Sequence, residues 1–193
     1  MIENFLRAPT GPAEVAADLV RVLGAIGVVI AAVGWGSVAF WVSALALLGA
    51  CTPRFLGVRP RLDIALGATL LVASWSSVLD LYSMIGVWDL VVHFAATGLI
   101  GAVLYTAAQR AGLVATNSPP SATALVVASL GTSAAVVWEI AEWAGHTFID
   151  ASIFVSYTDT IGDLAAGVLG AVVAGSSMRF LGERARSSAG ARL

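Results

Sequence analysis

In a chain short of charge, acids and histidines kept inside apolar stretches are the residues to ask about chemistry. Each ionisable group at membrane depth costs about 2.5–3.5 kcal/mol on insertion scales, so it persists where it pairs, binds an ion or faces water. In this sequence such residues fall in three places: Asp89 and His93 in WDLVVHF (88–94), Glu139, Glu142 and His146 in WEIAEWAGH (138–146), and Asp159 and Asp163 in DTIGD (159–163). The spacings i, i+4 and i, i+3, i+7 put each set on one stripe of a helix, so each set can converge on a point. Carboxylates with one or two imidazoles select an oxygen-preferring or borderline divalent cation, that is Mg, Mn, Fe or Zn. The expected metal ligands are Asp89, His93, Glu139, Glu142, Asp159 and Asp163. Glu139 or Glu142, left free, would act as general base for hydrolysis or transfer on a lipid-linked phosphoryl or similar headgroup.

Each piece also has a structural account. Thr160 can cap a helix with Asp163 three residues on, both favoured by the helix dipole. Glu142 and His146 can be a solvated helix end, Asp80 and Asp89 the flanks of a turn, and His93 a buried ring bonded to a backbone or hydroxyl group. The geometry separates the two accounts. A site requires Glu139, Glu142, His93, Asp163 and at least one of Asp89 or Asp159 in one cavity, whereas caps and solvated ends radiate outward.

The elements that must position these residues are membrane helices. Of 193 residues 59% are hydrophobic and 11% charged, against about 25% charged in soluble domains. Apolar runs near the ~20 residues that cross a bilayer recur along the chain with short connections. The expected fold is all-α: a single polytopic domain over 1–193, with spans at about 16–34, 37–50, 62–81, 88–108, 121–143 and 160–181 and a tail at 182–193. The segments 1–14 and 52–61 read as a short tail and a loop. Gly24, Gly27 and Ala31 permit close helix approach, as do Gly162, Gly167, Gly170 and Gly175. Net charge is −2, with no lysine among the ten basic residues, so no basic tract suggests nucleic acid. The single cysteine, Cys51, excludes an intramolecular disulfide and a thiolate cluster.

Arginine sets the expected orientation, because Lys and Arg accumulate in short cytoplasmic loops. Arg54, Arg59 and Arg61 lie between the second and third spans, Arg110 between the fourth and fifth, and Arg179, Arg184, Arg186 and Arg192 after the sixth. Connections 35–37, 82–87 and 144–159 hold none. Both termini are therefore expected in the cytoplasm of a cell inner-membrane protein. Trp35, Trp41, Tyr82, Trp88, Trp138, Trp143 and Tyr157 fall on the outer side as an interfacial belt. So do Asp80, Asp89, Glu139, Glu142, Asp150, Asp159 and Asp163, seven of the twelve acids, with no outer arginine to offset them.

WDLVVHF, WEIAEW (138–143) and DTIGDLAAGVLGA (159–171) together resemble small inner-membrane proteins of the YjdF type and, more loosely, VanZ-like proteins, over residues 80–172. The resemblance implies functional roles for Asp89, His93, Glu139, Glu142, Asp159 and Asp163, and departs at Gly167, where those families carry Asn. It implies a site and not a reaction. Membrane lipid is the expected partner, and six short spans also suit a homo-oligomer or a subunit of another membrane protein. The competing functions are a cation, proton or small-solute transporter, with the acids as a vestibule, and an accessory subunit without catalysis.

Overall fold

The computed structural model describes residues 2–178, which form eight helices: α1 Ile2–Leu6, α2 Pro12–Trp35, α3 Ser37–Leu56, α4 Pro60–Val78, α5 Leu81–Met84, α6 Trp88–Arg110, α7 Pro120–Phe148 and α8 Tyr157–Ser176. No strand occurs among the described residues. Five helices, α2, α3, α6, α7 and α8, are long and apolar enough to cross a membrane. Large apolar side chains such as Val22, Ile26, Val29 and Val33 stay exposed along α2, an apolar face of the kind that hydrocarbon covers in a membrane protein.

The helices pack as two halves. α2, α3 and α4 contact one another, as do α6, α7 and α8, and the halves meet where α4 lies against α6. Small residues bring the axes together: Gly24 faces Leu47 and Leu71, Gly27 faces the Trp75 indole, and Ala31 is fully buried. The closest approach joins α6 to α8. A Cβ built on Gly170 would stand 1.9 Å from the Phe94 carbonyl oxygen, and one on Gly98 2.6 Å from that of Gly170. The core cluster around Leu62, Leu66, Val103, Tyr105 and Val127 fills the end away from Asp89, Glu139 and Asp163.

The helix bounds differ from the expected spans in four ways, each with a local cause. α3 continues through Pro53 to Leu56, so half of the stretch read as a loop is helix. It stops at Gly57, left-handed at φ 62°, whose N–H bonds Arg54 O while that of Val58 bonds Pro53 O, the ring-closing pair of a Schellman end. α7 runs to Phe148, so His146 is helical. α8 begins at Tyr157 with Ser156 as its cap, accepting from Asp159 N at 3.2 Å; the cap is therefore not Thr160. Residues 2–6, read as tail, form α1, with Phe5 stacked on Phe55 at 4.3 Å. Gly36 joins α2 to α3 alone at φ 86°, ψ −161°, a conformation open almost only to glycine. The arginines after Met178 and the 182–193 tail lie outside the described residues.

The first half holds a charged network that the span pattern concealed. Arg21, buried in the middle of α2, donates to Asp63 at the start of α4, to Asp18 at 2.7 Å and to Ala50 O at 3.2 Å. Arg54, also buried, approaches Asp18 at 3.6 Å and donates to Arg7 O. These contacts tie α2, α3, α4 and the segment after α1 together at one end.

Candidate functional site

The second half carries the acids. With a rise of 1.5 Å per residue, His93 sits about 7 Å below the Trp88 end of α6, Asp163 about 9 Å below the Tyr157 end of α8, and Glu139 about 14 Å below the Phe148 end of α7. Because α7 projects further than its neighbours, these unequal offsets bring the three residues to one level. The Gly170 and Phe94 backbone contact then holds α6 and α8 close enough for their side chains to meet.

His93 is the centre. Its ring is mostly buried, with Nε2 3.4 Å from Asp89 Oδ1 and Nδ1 3.9 Å from Glu139 Oε1. Two sets of ligand-type atoms lie mutually within 4.8 Å: Asp89, His93 and Asp163, and His93, Glu139 and Glu142. Bonds of about 2.0–2.6 Å put opposite ligands of one ion roughly 4–5 Å apart, so the separations within either set are compatible with a single ion. Asp163 is 2% exposed and Glu139 9%, and one oxygen of each, Oδ1 and Oε1, is buried without a hydrogen-bond partner. Such oxygens are costly unless a proton, water or cation completes them.

Five of the expected residues, Asp89, His93, Glu139, Glu142 and Asp163, thus gather around one ring. Asp159 belongs to neither set. His146, expected on the same stripe as the two glutamates, is turned to the following loop, where its Nδ1 meets Ile153 O at 2.6 Å. Asp150 binds Ser152 N at 2.9 Å; the Ser152 hydroxyl and then its backbone N–H hold the Asp150 carboxyl below its usual range. Beside the cluster, in the α4–α6 connection, Tyr82 donates to Ala73 O at 3.0 Å. Burial, and after it the carboxylates of Asp89 and Glu142, push its phenol up, so it stays neutral.

Below His93 on α6 lies a further buried polar residue that the sequence pattern did not single out. Thr97 follows His93 by one turn and is 5% exposed; a Cβ on Gly167 would lie 2.8 Å from its Oγ1. The hydroxyl therefore reaches the position that Gly167 leaves empty of a polar side chain. The i, i+4 spacing from His93 was the available signal.

Beside the cluster runs a groove of about 450 Å³ between α7 and α8, walled by Val136, Ile140, Trp143, Tyr157 and Leu164, with Glu139, Ser156 and Thr160 among its lining. Trp143 and Tyr157, both exposed, stand at the helix ends with Trp35 and Trp41, as an interfacial belt requires.

A chain whose described residues form only helices and their connections, several of them apolar and of membrane-crossing length, is a multi-pass membrane protein. More particularly, the chain belongs to the DUF2238 family, described as predicted membrane protein, whose model matches residues 17–184; this is the family to which the YjdF-type resemblance pointed. No curated protein and no solved structure matches the chain.

Proposed function

We propose that this protein is a metal-dependent membrane enzyme acting on a lipid-linked phosphoryl or similar headgroup at the outer surface of the cell inner membrane. Asp89, Asp163 and His93 Nε2 hold a divalent cation. Glu139, whose Oε1 stands 3.9 Å from His93 Nδ1, would accept a hydrogen bond from Nδ1–H once drawn closer and so fix the tautomer, as carboxylates do for metal-bound imidazoles. Glu142, on the same side of the ring, is the second candidate base beside the headgroup. A cation there supplies charge neutralisation and a more acidic bound water. The observation that carries this reading is Asp163, which places a carboxylate oxygen within 4.8 Å of ligand atoms of Asp89 and His93 and whose Oδ1 is buried without a hydrogen-bond partner.

Elemental analysis and calorimetric titration with Mg, Mn and Zn test it. The expected result is about one cation per chain, lost in Asp163→Asn and retained in Glu139→Gln at an affinity lower by about 10–100-fold, the scale of an orienting partner. Purified protein that holds no divalent ion, and gains no turnover on lipid phosphates when one is added, refutes the enzyme reading. Flux through proteoliposomes abolished by Glu139→Gln would replace it with the transporter. The charged network of Arg21 and Asp63 does not favour that alternative, because it lies in the other half of the bundle and not below the acids.

The reading includes six spans with both termini in the cytoplasm. α4 supports the sixth: its 19 residues extend about 28 Å, and the short connection after α3 returns it along α3 and α2. If α4 crosses, Gly36 and Ser152 lie on the same outer side; if it does not, they lie on opposite sides. In a Cys51→Ser background, an impermeant thiol reagent applied to intact cells should label both Gly36→Cys and Ser152→Cys. Labelling of only one removes α4 from the span count, and labelling of neither reverses the orientation.

A further inference from the structure

Glu139 is the one residue common to the α7–α8 groove and to the ligand-type sets around His93. The groove is formed by two helices of membrane-crossing length and composition, so in a membrane it opens sideways to lipid, from the interface at Trp143 and Tyr157 inward. Along α7 its walls run from Trp143 to Val136, and along α8 from Tyr157 to Leu164, each about 10 Å of helix. The ends near Trp143 and Tyr157 are amphipathic and the ends near Val136 and Leu164 are aliphatic. Glu139 and Thr160 lie between, and Ser156 lies beyond Tyr157 at the amphipathic end. At about 450 Å³ the groove falls in the range of small-molecule sites, which are mostly apolar with a few placed polar groups.

From this placement we infer that the α7–α8 groove is a lateral entrance for a phosphoryl-bearing membrane lipid. The lipid's tail lies against Val136, Ile140 and Leu164, and its headgroup passes Thr160 and Glu139 to reach the His93 cluster. The polarity order of the groove matches that of a bilayer lipid, aliphatic toward the membrane interior and polar toward the interface. The groove lining contains two hydroxyls and a carboxylate but no arginine or lysine. An anionic headgroup must therefore be met by the cation beside His93, and in that respect the inference rests on the function proposed above. A water-soluble phosphate would have no use for the aliphatic half.

The test uses full-length protein in nanodiscs of phosphatidylcholine carrying a diazirine-tailed phosphatidic acid, with Mg present. Photolabelling should concentrate on α7 and α8 around the groove. It should fall by about tenfold or more in Leu164→Trp, the scale on which a hydrophobic pocket penalises a misfit. Calorimetric cation binding in Leu164→Trp should remain that of the parent, showing that the fold and cluster survive. Val29→Trp, on the exposed face of α2, should leave labelling unchanged.

Labelling no greater on α7 and α8 than on α2, or unaltered by Leu164→Trp, overturns the entrance. Displacement of the probe by inorganic phosphate assigns the site to a free anion and overturns the lipid. Groove labelling that persists after chelation, with an equal yield for a diazirine-tailed diacylglycerol, keeps the lipid entrance while sinking the cation and the phosphoryl selectivity. The two readings therefore fail separately.

Discussion

Gly170→Ala perturbs the candidate site without touching a single ligand. The new methyl group would begin 1.9 Å from the Phe94 carbonyl oxygen, whereas carbon to oxygen contacts across helix pairs settle at about 3.3–3.6 Å, so α6 and α8 must part by roughly 1.5 Å. Backbone and not a side-chain tip is the obstacle, and it cannot rotate away. Phe94 adjoins His93, and Asp163 stands two turns from Gly170 on the same helix, so the displacement reaches the imidazole and its carboxylate directly. Metal sites tolerate about 0.2 Å in ligand distance. Affinity should fall by about 10–100-fold, at least what is lost when a ligand loses its orienting partner, and overpacking should cost about 1–3 kcal/mol of stability. Titration calorimetry with Mn and a thermal melt of the detergent-solubilised protein give the two readouts. Gly162→Ala is the control, since its methyl meets only the Leu90 Cδ2 tip at 3.2 Å, and it should bind as the parent does. Parental affinity and melting temperature in Gly170→Ala would refute the claim that the α6–α8 backbone contact sets the geometry of the cluster.

Cation affinity should decline as the solution is acidified from about pH 7.5 to 5.5, because carboxylate and imidazole ligands bind metal only after losing their protons; a flat calorimetric profile over that interval counts against the site. Asp63→Asn should destabilise the protein by somewhat less than the ~3–5 kcal/mol of a broken buried pair, since Asp18 still holds one arm of Arg21. Its cation stoichiometry should not change, and a loss of binding there would show that the two halves are coupled. Ser156→Ala removes the α8 cap and should cost about 1 kcal/mol in a denaturation midpoint, whereas Thr160→Ala should leave the helix start intact.

The helical class and the approximate place of every long helix were legible because long apolar runs announce themselves by length and composition, although α4 falls outside the five helices apolar enough to cross a membrane. What was lost follows from the same signal. A window that averages hydropathy absorbs Asp18 and Arg21 into the first apolar run, so the buried pairing with Asp63 could be found only from three-dimensional neighbours. Pro53 and the arginines around it read as a loop, yet α3 carries Pro53 in its last turn at the loss of one helical bond, and the left-handed residue that ends α3 is Gly57. The end of α7 and the start of α8 were less legible because Trp143, His146 and Tyr157 are as compatible with interface as with loop; the cap, Ser156, is one of several hydroxyls near a plausible start.

The candidate site was legible for a different reason. Stripe geometry within a helix is local, and the stripes of Asp89 with His93 and of Glu139 with Glu142 survive any rigid docking of the helices that carry them. Which stripes face each other is not local. It depends on the glycines: Gly98 and Gly170 hold α6 against α8, Gly101 and Gly131 hold α6 against α7, and with α6 gripped from both sides His93 must stand between the acids of the other two helices. His146 extends the α7 stripe in sequence but lies beyond the level at which α6 and α8 can reach it, and so it bonds its own loop. Asp159 stands a full turn before Asp163 along α8, closer to the interface and farther from the glycine contacts. Depth and packing together therefore sort the ionisable residues of α7 and α8: those level with the glycine-held crossing form the cluster around His93, and His146 and Asp159, nearer the helix ends, stay out of it, while Asp89, at the start of α6, joins because it stands 3.4 Å from the Nε2 of His93 one turn on.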